Sequence, residues 1–339
     1  MARIDKAGFE MGDIYWVDVV SAGVAAVASP SGFPSPWCIS FPAGSALYAQ
    51  RNLPGTYSEY YFQIRFRYES AGIFIVDFRS SNTQIEGIAT SVATNKIDAY
   101  SGGTLIGSTS LALVPNQIYV VEVYNKIADA TNGRFTIKVD QNIVFDFTGD
   151  TKIAVSGTID NFKFGHGALS STYYADDIFF NDTTGGVDDS WVGGLTIEKI
   201  IPDGDGAHNN WHGSDSDDVN NWNLVDEYPL DGDATYVYRS GADSGTQDQY
   251  NMTDTWIDTN KVCTRVWAEA RARKTIQAAH TLKIGILASG GADRVSAGRA
   301  LYVNGYGQIR GNEEPINPVT ASACVKADID ALQYINEVG

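Results

Sequence analysis

The sequence predicts an all-β chain of two antiparallel β-sandwich domains closed by one short C-terminal helix. Three observations carry that expectation. Apolar and polar residues alternate with period two in segment after segment, the spacing that gives a strand one buried and one wet face. The composition, with 34 Gly, 18 Tyr and 14 Phe against three Met, suits short strands and tight turns. The 339 residues are about twice the usual single-domain length, enough for two cores.

In the first half, EYYFQIRFRY (59–68) sets Tyr60, Phe62, Ile64, Phe66 and Tyr68 against Tyr61, Gln63, Arg65 and Arg67. That is a half-buried strand. GIFIVDFR (72–79) and QIYVVEVYN (117–125) follow as further strands. In GRFTIKVDQNIVFDFTGD (133–150), two apolar runs flank Asp140, Gln141 and Asn142, and the tolerance of Asp and Asn for positive φ makes this a hairpin. Nothing between residues 55 and 185 reads as a long amphipathic helix, so an antiparallel sandwich is expected.

The stretch NDTTGGVDDS (181–190) combines turn residues with a lack of periodicity and sets the expected boundary, giving domains 1–185 and 186–339. The second is expected to open on a strand, WVGGLTIEKIIP (191–202), before a polar segment at 203–222. ATYVYRS (234–240), TLKIGILASGG (281–291) and ALYVNGYGQI (300–309) read as strands. VCTRVWAEARARK (262–274) is built of helix formers, yet it alternates strictly, and no helical face of it would be free of charge; a strand is expected. Val325, Ile329, Leu332 and Ile335 form one helical stripe, predicting the closing helix with Ser322 as its cap.

Charge is concentrated. The chain carries a formal −17, and the window Asp176 to Asp258 holds 19 acidic residues against Lys199 and Arg239, which is also −17; the remainder has 22 of each sign. Without a basic patch to neutralise phosphates, nucleic-acid binding is not expected. Cys38, Cys263 and Cys324 are odd in number and widely spaced, which favours reduced thiols over disulfides or a zinc site. The opening MARIDKAGFEMGDIYW places acidic residues where a signal peptide needs an apolar core. VDVVSAGVAAVA (17–28) is too short to span a bilayer, so neither secretion nor membrane insertion is expected and folding in the cytoplasm is.

Several motifs bear a resemblance. GFEMGD (8–13), the hairpin GRFTIKVDQNIVFDF and the strand YYADDIFFND (173–182) together resemble concanavalin A-like, or laminin-G-like, jelly-roll domains over roughly residues 5 to 184. The continuation, NDTTGGVDDSWVGGLTIEKIIPDGDG, NNWNLVDEYPLDGDATYV, SGTQDQY, ARARK and NPVTASACVKADIDAL, resembles the domain that follows such a lectin-like domain in virion proteins of tailed bacteriophages and prophages. The resemblance implies a non-enzymatic component on the surface of a particle, a tail-fibre, tail-tip or capsid-decoration protein. It would be assembled in the host cytoplasm as a homo-oligomer with other virion proteins as partners and a host surface glycan as a contact. The alternative is a carbohydrate-binding module or adhesin with no virion role.

Candidate chemistry is sparse. A lectin-fold glycosidase needs two carboxylates reaching one cleft; no E-x-D-x-x-E pattern occurs, and Asp176 and Asp177, being adjacent, point to opposite faces of a regular strand. A glycoside hydrolase is thus the remote reading. Asp176 and Asp177, with Asp182 or Asp13, are candidate Ca²⁺ ligands; the competing expectation is that one Asp pairs with an arginine or accepts backbone N–H bonds. His208 and His212 have helical spacing but sit in a loop-like composition, and the aspartates 203–218 lack the glycine and glutamate of an EF-hand loop. Trp211, Trp222, Tyr228 and Trp256, with Tyr236 and Tyr238, lie among Asp and Asn as a sugar-binding platform would. The same rings suit the core of a small β-domain, and that is the expected reading.

Overall fold

The computed structural model describes the chain apart from residues 1–2, 10–15, 32, 35, 45–46, 82, 154–155, 166–171, 186–187, 228–230, 232, 241–243, 256–261, 278, 292 and 315–316. It divides into two compact units, Met1–Ile197 and Glu198–Gly339. Both are antiparallel β-structures, as the alternation predicts.

The first unit begins with β1 (Arg3–Ala7), β2 (Val19–Val20), β3 (Ala25–Ala28), β4 (Trp37–Phe41) and β5 (Ala49–Tyr57). There follow β6 (Glu59–Tyr68), β7 (Phe74–Ser80), β8 (Thr83–Thr90), β9 (Lys96–Ser101) and β10 (Thr104–Ala112). The unit closes with β11 (Ile118–Lys126), β12 (Gly133–Val139), β13 (Asn142–Gly149), β14 (Ile159–Phe164) and β15 (Tyr173–Asp182). One sheet has the order β13-β12-β11-β6-β15-β4-β3, with β1 added on β15; the other has the order β10-β9-β8-β7-β14-β5-β2.

The two sheets share one core. Tyr60, Phe62, Ile64, Phe66 and Tyr68 of β6 are all fully buried, confirming the alternation, and they meet Phe78, Phe162, Phe164, Tyr173 and Phe180. Phe62 packs edge-on against both Phe78 (5.2 Å) and Phe162 (5.3 Å), the arrangement that aromatic quadrupoles favour. The expected hairpin turns at Asp140 (φ 47°) and Gln141 (φ 70°) between β12 and β13.

The expected strand at 191–202 is replaced by an extended strap. Residues 191–197 have no ladder partners and lie against the outer side of the eight-stranded sheet. Trp191 packs on Tyr61 and Tyr124 (5.3 and 6.2 Å) under the Lys138 ammonium (3.8 Å). Glu122 Oε1 accepts from the Gly193 amide (2.8 Å), and Gln63 Nε2 donates to the Leu195 carbonyl (2.8 Å). Because these contacts bind the strap to the first sandwich, the division falls after Ile197, beyond the turn-rich stretch at 181–190.

The second unit contains β16 (Pro202–Asn209), β17 (His212–Gly213), β18 (Val237–Tyr238), β19 (Gln247–Met252) and β20 (Glu269–Ala272). It continues with β21 (Thr281–Leu287), β22 (Arg294–Val295), β23 (Arg299–Ala300), β24 (Gly307–Arg310), helix α1 (Lys326–Asp330) and β25 (Gln333–Val338). The main sheet runs β16-β19-β25-β21-β22, with β23 also on β21; β20 pairs with β24 and β17 with β18. Leu282, Ile284 and Ile286 form a second core with Ala268, Ile309, Ile329 and Leu332.

The closing helix is shorter than its stripe implies. It spans five residues; its N-cap is Val325, not Ser322, and the Asp328 carboxylate accepts from the Val325 amide (2.9 Å). Ile335, the last residue of the stripe, belongs to β25, which takes the central place between β19 and β21. Pairing on both sides outweighs the few turns a helix would gain there. Of the strand expected over 262–274, Glu269–Ala272 is regular, preceded by bridges at Cys263 and Val266.

Candidate functional site

Of the aspartate pair in β15, both members are fully buried, and Asp177 is engaged by an arginine and a backbone amide. Asp176 pairs in register with Arg65, but two residues then stand opposite one, and Asp177 takes φ 47° in this bulge. The bulge overturns the expectation of opposite faces, because it brings the Asp177 carboxylate to Arg65 on the strap side. Oδ2 accepts from Arg65 Nε (2.6 Å) and Oδ1 from the Ile197 amide (2.8 Å). Both competing contacts anticipated for the pair, an arginine and a backbone N–H, fall on this one carboxylate. Asp182 accepts from the amide and hydroxyl of Thr184 (3.0 and 2.8 Å). Among the described residues, no three His, Cys, Asp or Glu side chains gather as a metal site would require; Asp13 lies outside them.

Of the aromatic platform expected in the second unit, Tyr236 and Tyr238 are exposed and pack on each other at 6.1 Å. Trp211 is half-buried against the second core, with Nε1 on the Thr246 carbonyl (3.4 Å), and Trp222 sits half-buried in a 3₁₀ turn, Asn221–Leu224. Tyr228 and Trp256 lie outside the described residues. The polar segment is ordered by its aspartates. Buried Asp248 accepts from the amides of Asn210 (2.8 Å) and Trp211 (3.3 Å), from Asn221 Nδ2 (2.9 Å) and from the Tyr250 hydroxyl (2.7 Å). His212 pairs with Asp218 (2.5 Å) and packs on Tyr238, while His208 is exposed on β16.

A different surface collects chemistry: the outer face of the seven-stranded sheet. Phe78 and Phe162 point into the core, so their neighbours Asp77 and Lys163, in register with each other, point outward. Gln50 pairs with Lys163, Gly87 with Asp77, and Tyr100 with Gly87. Gln50, Lys163, Asp77, Gly87 and Tyr100 therefore form one row across five adjacent strands, spanning about 19 Å at the ordinary strand spacing. Asn52, Asn161, Arg79 and Gln84 form the next row.

Gly87 leaves a low point in the first row. A Cβ there would meet Gln84 Nε2 at 2.7 Å and Phe74 at 3.7 Å, so these two side chains flank it. Phe74 packs on Tyr100 at 5.7 Å. Around the glycine stand two rings, one amide and one carboxylate.

The charges of this face are tightly held. Asp77 is 1% exposed and bonds Arg79 Nη1 through Oδ2 (2.5 Å). Burial nevertheless raises its carboxyl to about 6, against the pull of Arg79. Lys163 is 9% exposed, and its ammonium lies over the Tyr48 ring (4.3 Å). Burial, and secondarily the Arg79 charge, lowers its pKa. Tyr100 is shifted upward by burial and then by Asp98.

No protein-family model and no curated protein sequence matches the chain. Among solved structures, it is similar to an endo-β-1,4-glucuronan lyase from the fungus Trichoderma reesei at 13% identity and TM-score 0.42, covering 53% of this chain and 96% of that one. It is also similar to domain 4 of AbnA, a GH43 extracellular arabinanase from Geobacillus stearothermophilus, at 11% identity and TM-score 0.39, covering 53% and 92%. A third likeness is to the carbohydrate binding module CBM66 from Bacillus subtilis, at 12% identity and TM-score 0.34, covering 48% and 94%.

Proposed function

We propose that the chain is a carbohydrate-binding protein whose first sandwich holds a glycan on the outer face of its seven-stranded sheet. The observation that carries this reading is the row Gln50, Lys163, Asp77, Gly87 and Tyr100. It places hydrogen-bonding groups and a ring side by side around a glycine gap, the mixture that sugars need, with C–H faces on rings and hydroxyls on polar groups. The opposite sheet has its outer face crossed by the 191–197 strap.

The role is binding rather than hydrolysis. Retaining hydrolysis asks for two carboxylates about 5 Å apart, one of them free to protonate a leaving group; Asp77 is instead engaged by Arg79. Display on a tailed-phage particle, as a homo-oligomer among other virion proteins, is the further part of this reading, and its support is the motif order across residues 181–332.

Binding is tested by passing the full chain over a polysaccharide panel, beside Tyr100→Ala. Retention of the parent chain and its loss in the variant, with unchanged thermal unfolding, are expected. A chain that no polysaccharide retains would end the reading. Co-sedimentation with intact particles tests display separately.

A further inference from the structure

We propose that the face takes an anionic sugar, a glycan bearing carboxylate or sulfate groups, and that Lys163 is the anion's partner. This rests on the carbohydrate-binding reading above. Among the described residues, Lys163 Nζ has no hydrogen-bond acceptor and no carboxylate within ion-pairing distance; its contact is the Tyr48 ring. Asp77, its register neighbour, gives its short contact to Arg79 instead. The lysine stem is packed while its ammonium reaches the surface, so its three donors are open to the oxygens of a bound anion.

The groups facing Asp77 fix the local charge. Its own strand contributes Arg79, β14 contributes Lys163, β8 contributes the uncharged Gln84 and Gly87, and β5 contributes Gln50 beyond Lys163. Asp160 on β14 is turned to the Ser81 amide (2.8 Å) and Asn161 Nδ2 (2.6 Å), and Asp98 on β9 to the Ser108 hydroxyl (2.6 Å). Asp98 and Asp160 keep their charges while hydrogen-bonded, so the cation that an anion would meet on this face is Lys163 itself, in a chain of −17. The overall charge repels polyanions, so retention of one by this protein requires a local site. As Asp77 takes up a proton near pH 6, the face loses a negative charge beside Lys163, and anion binding tightens.

The test is affinity electrophoresis of the full chain in gels holding a neutral glucan, a polygalacturonate or a sulfated galactan, at pH 7.5 and pH 5. The anionic polymers are expected to retard the chain more than the neutral one, and more at pH 5. Whichever of the two anionic polymers retards it identifies the acidic group. Lys163→Met keeps the stem and is expected to weaken anionic binding about tenfold or more, the worth of one charge-assisted bond, and by more than it weakens neutral binding, with thermal unfolding unchanged. Asp77→Asn is expected to bind anionic polymers at pH 7.5 as the parent does at pH 5. Equal or stronger binding of the neutral glucan, or full anionic affinity in Lys163→Met, would overturn the proposal while leaving carbohydrate binding in place. Failure of every polymer overturns both.

Discussion

Asp177 holds Arg65 with one carboxylate oxygen at 2.6 Å and, through the other at 2.8 Å, receives the Ile197 amide, the last residue of the first unit. A fully buried carboxylate thereby ties the strap to the sheet. Asparagine tolerates the same positive φ, so Asp177→Asn removes the charge without adding backbone strain. It leaves the Arg65 guanidinium, largely buried itself, without its counter-charge. A loss of about 2 kcal/mol or more from the first unit is expected, together with new proteolytic cleavage within 190–197. Urea unfolding and limited proteolysis measure the two. A strap that stays resistant would show that Trp191 and its cation–π contact suffice.

Gly87 gives a test of the sugar face that does not touch its charges. The nearest atom to an added Cβ is the end of the Gln84 side chain, which can swing away, and the next is the Val76 carbonyl at 3.3 Å. Gly87→Ala is therefore expected to change stability by no more than about 1 kcal/mol. Gly87→Leu fills the gap between Phe74, Gln84 and Asp77 and is expected to abolish glycan retention. Binding that survives the leucine would place the ligand elsewhere.

The fold was legible where apolar and polar residues alternate along a strand. Period two in residues 59–68 is unambiguous, because every even-numbered position is apolar and fully buried. The closing segment misled because Ile329, Leu332 and Ile335 satisfy a helical spacing while the last of them pairs as a strand. The polar row on the seven-stranded sheet was illegible for another reason. Gln50, Asp77, Gly87, Tyr100 and Lys163 come from five strands scattered over more than a hundred residues, and each reads in its own strand as an ordinary solvent-facing position. Only register brings them together. The sequence signal that remained was weak: a lysine and an aspartate inside the aromatic runs NFKF (161–164) and IVDF (75–78).

Asp248 organises the acidic segment of the second unit. Its carboxylate collects four donors, two of them amides at Asn210 and Trp211. Asp248→Ala strands those donors in a buried place and is expected to cost at least about 2 kcal/mol, with a shift in Trp211 fluorescence. Asp248→Asn keeps an acceptor and is expected to cost less. Equal costs would mean that packing, not hydrogen bonding, sets the contribution of this residue.

Glu86 makes the first unit's stability depend on pH in a direction opposite to that of a paired carboxylate. It is fully buried on β8, between register partners Phe78 and Ser101, and faces Asn125, whose Nδ2 donates to the Tyr60 hydroxyl (3.0 Å). Burial, only partly offset by Ser101 and Asn125, pushes its carboxyl well above the ordinary value. The folded protein thus keeps this proton at pH values where the unfolded chain has released it. The stabilising contribution is complete below the unfolded pKa, near 4.5, and is lost as pH rises toward the folded one. Over that interval the loss is about 1.4 kcal/mol per pH unit for a single group. Glu86→Gln has the same shape and no proton to lose, so at pH 8 it is expected to unfold at higher denaturant than the parent, while at pH 4.5 the two should nearly coincide. A variant destabilised equally at both pH values would mean that the acid's O–H donates a hydrogen bond the amide cannot replace.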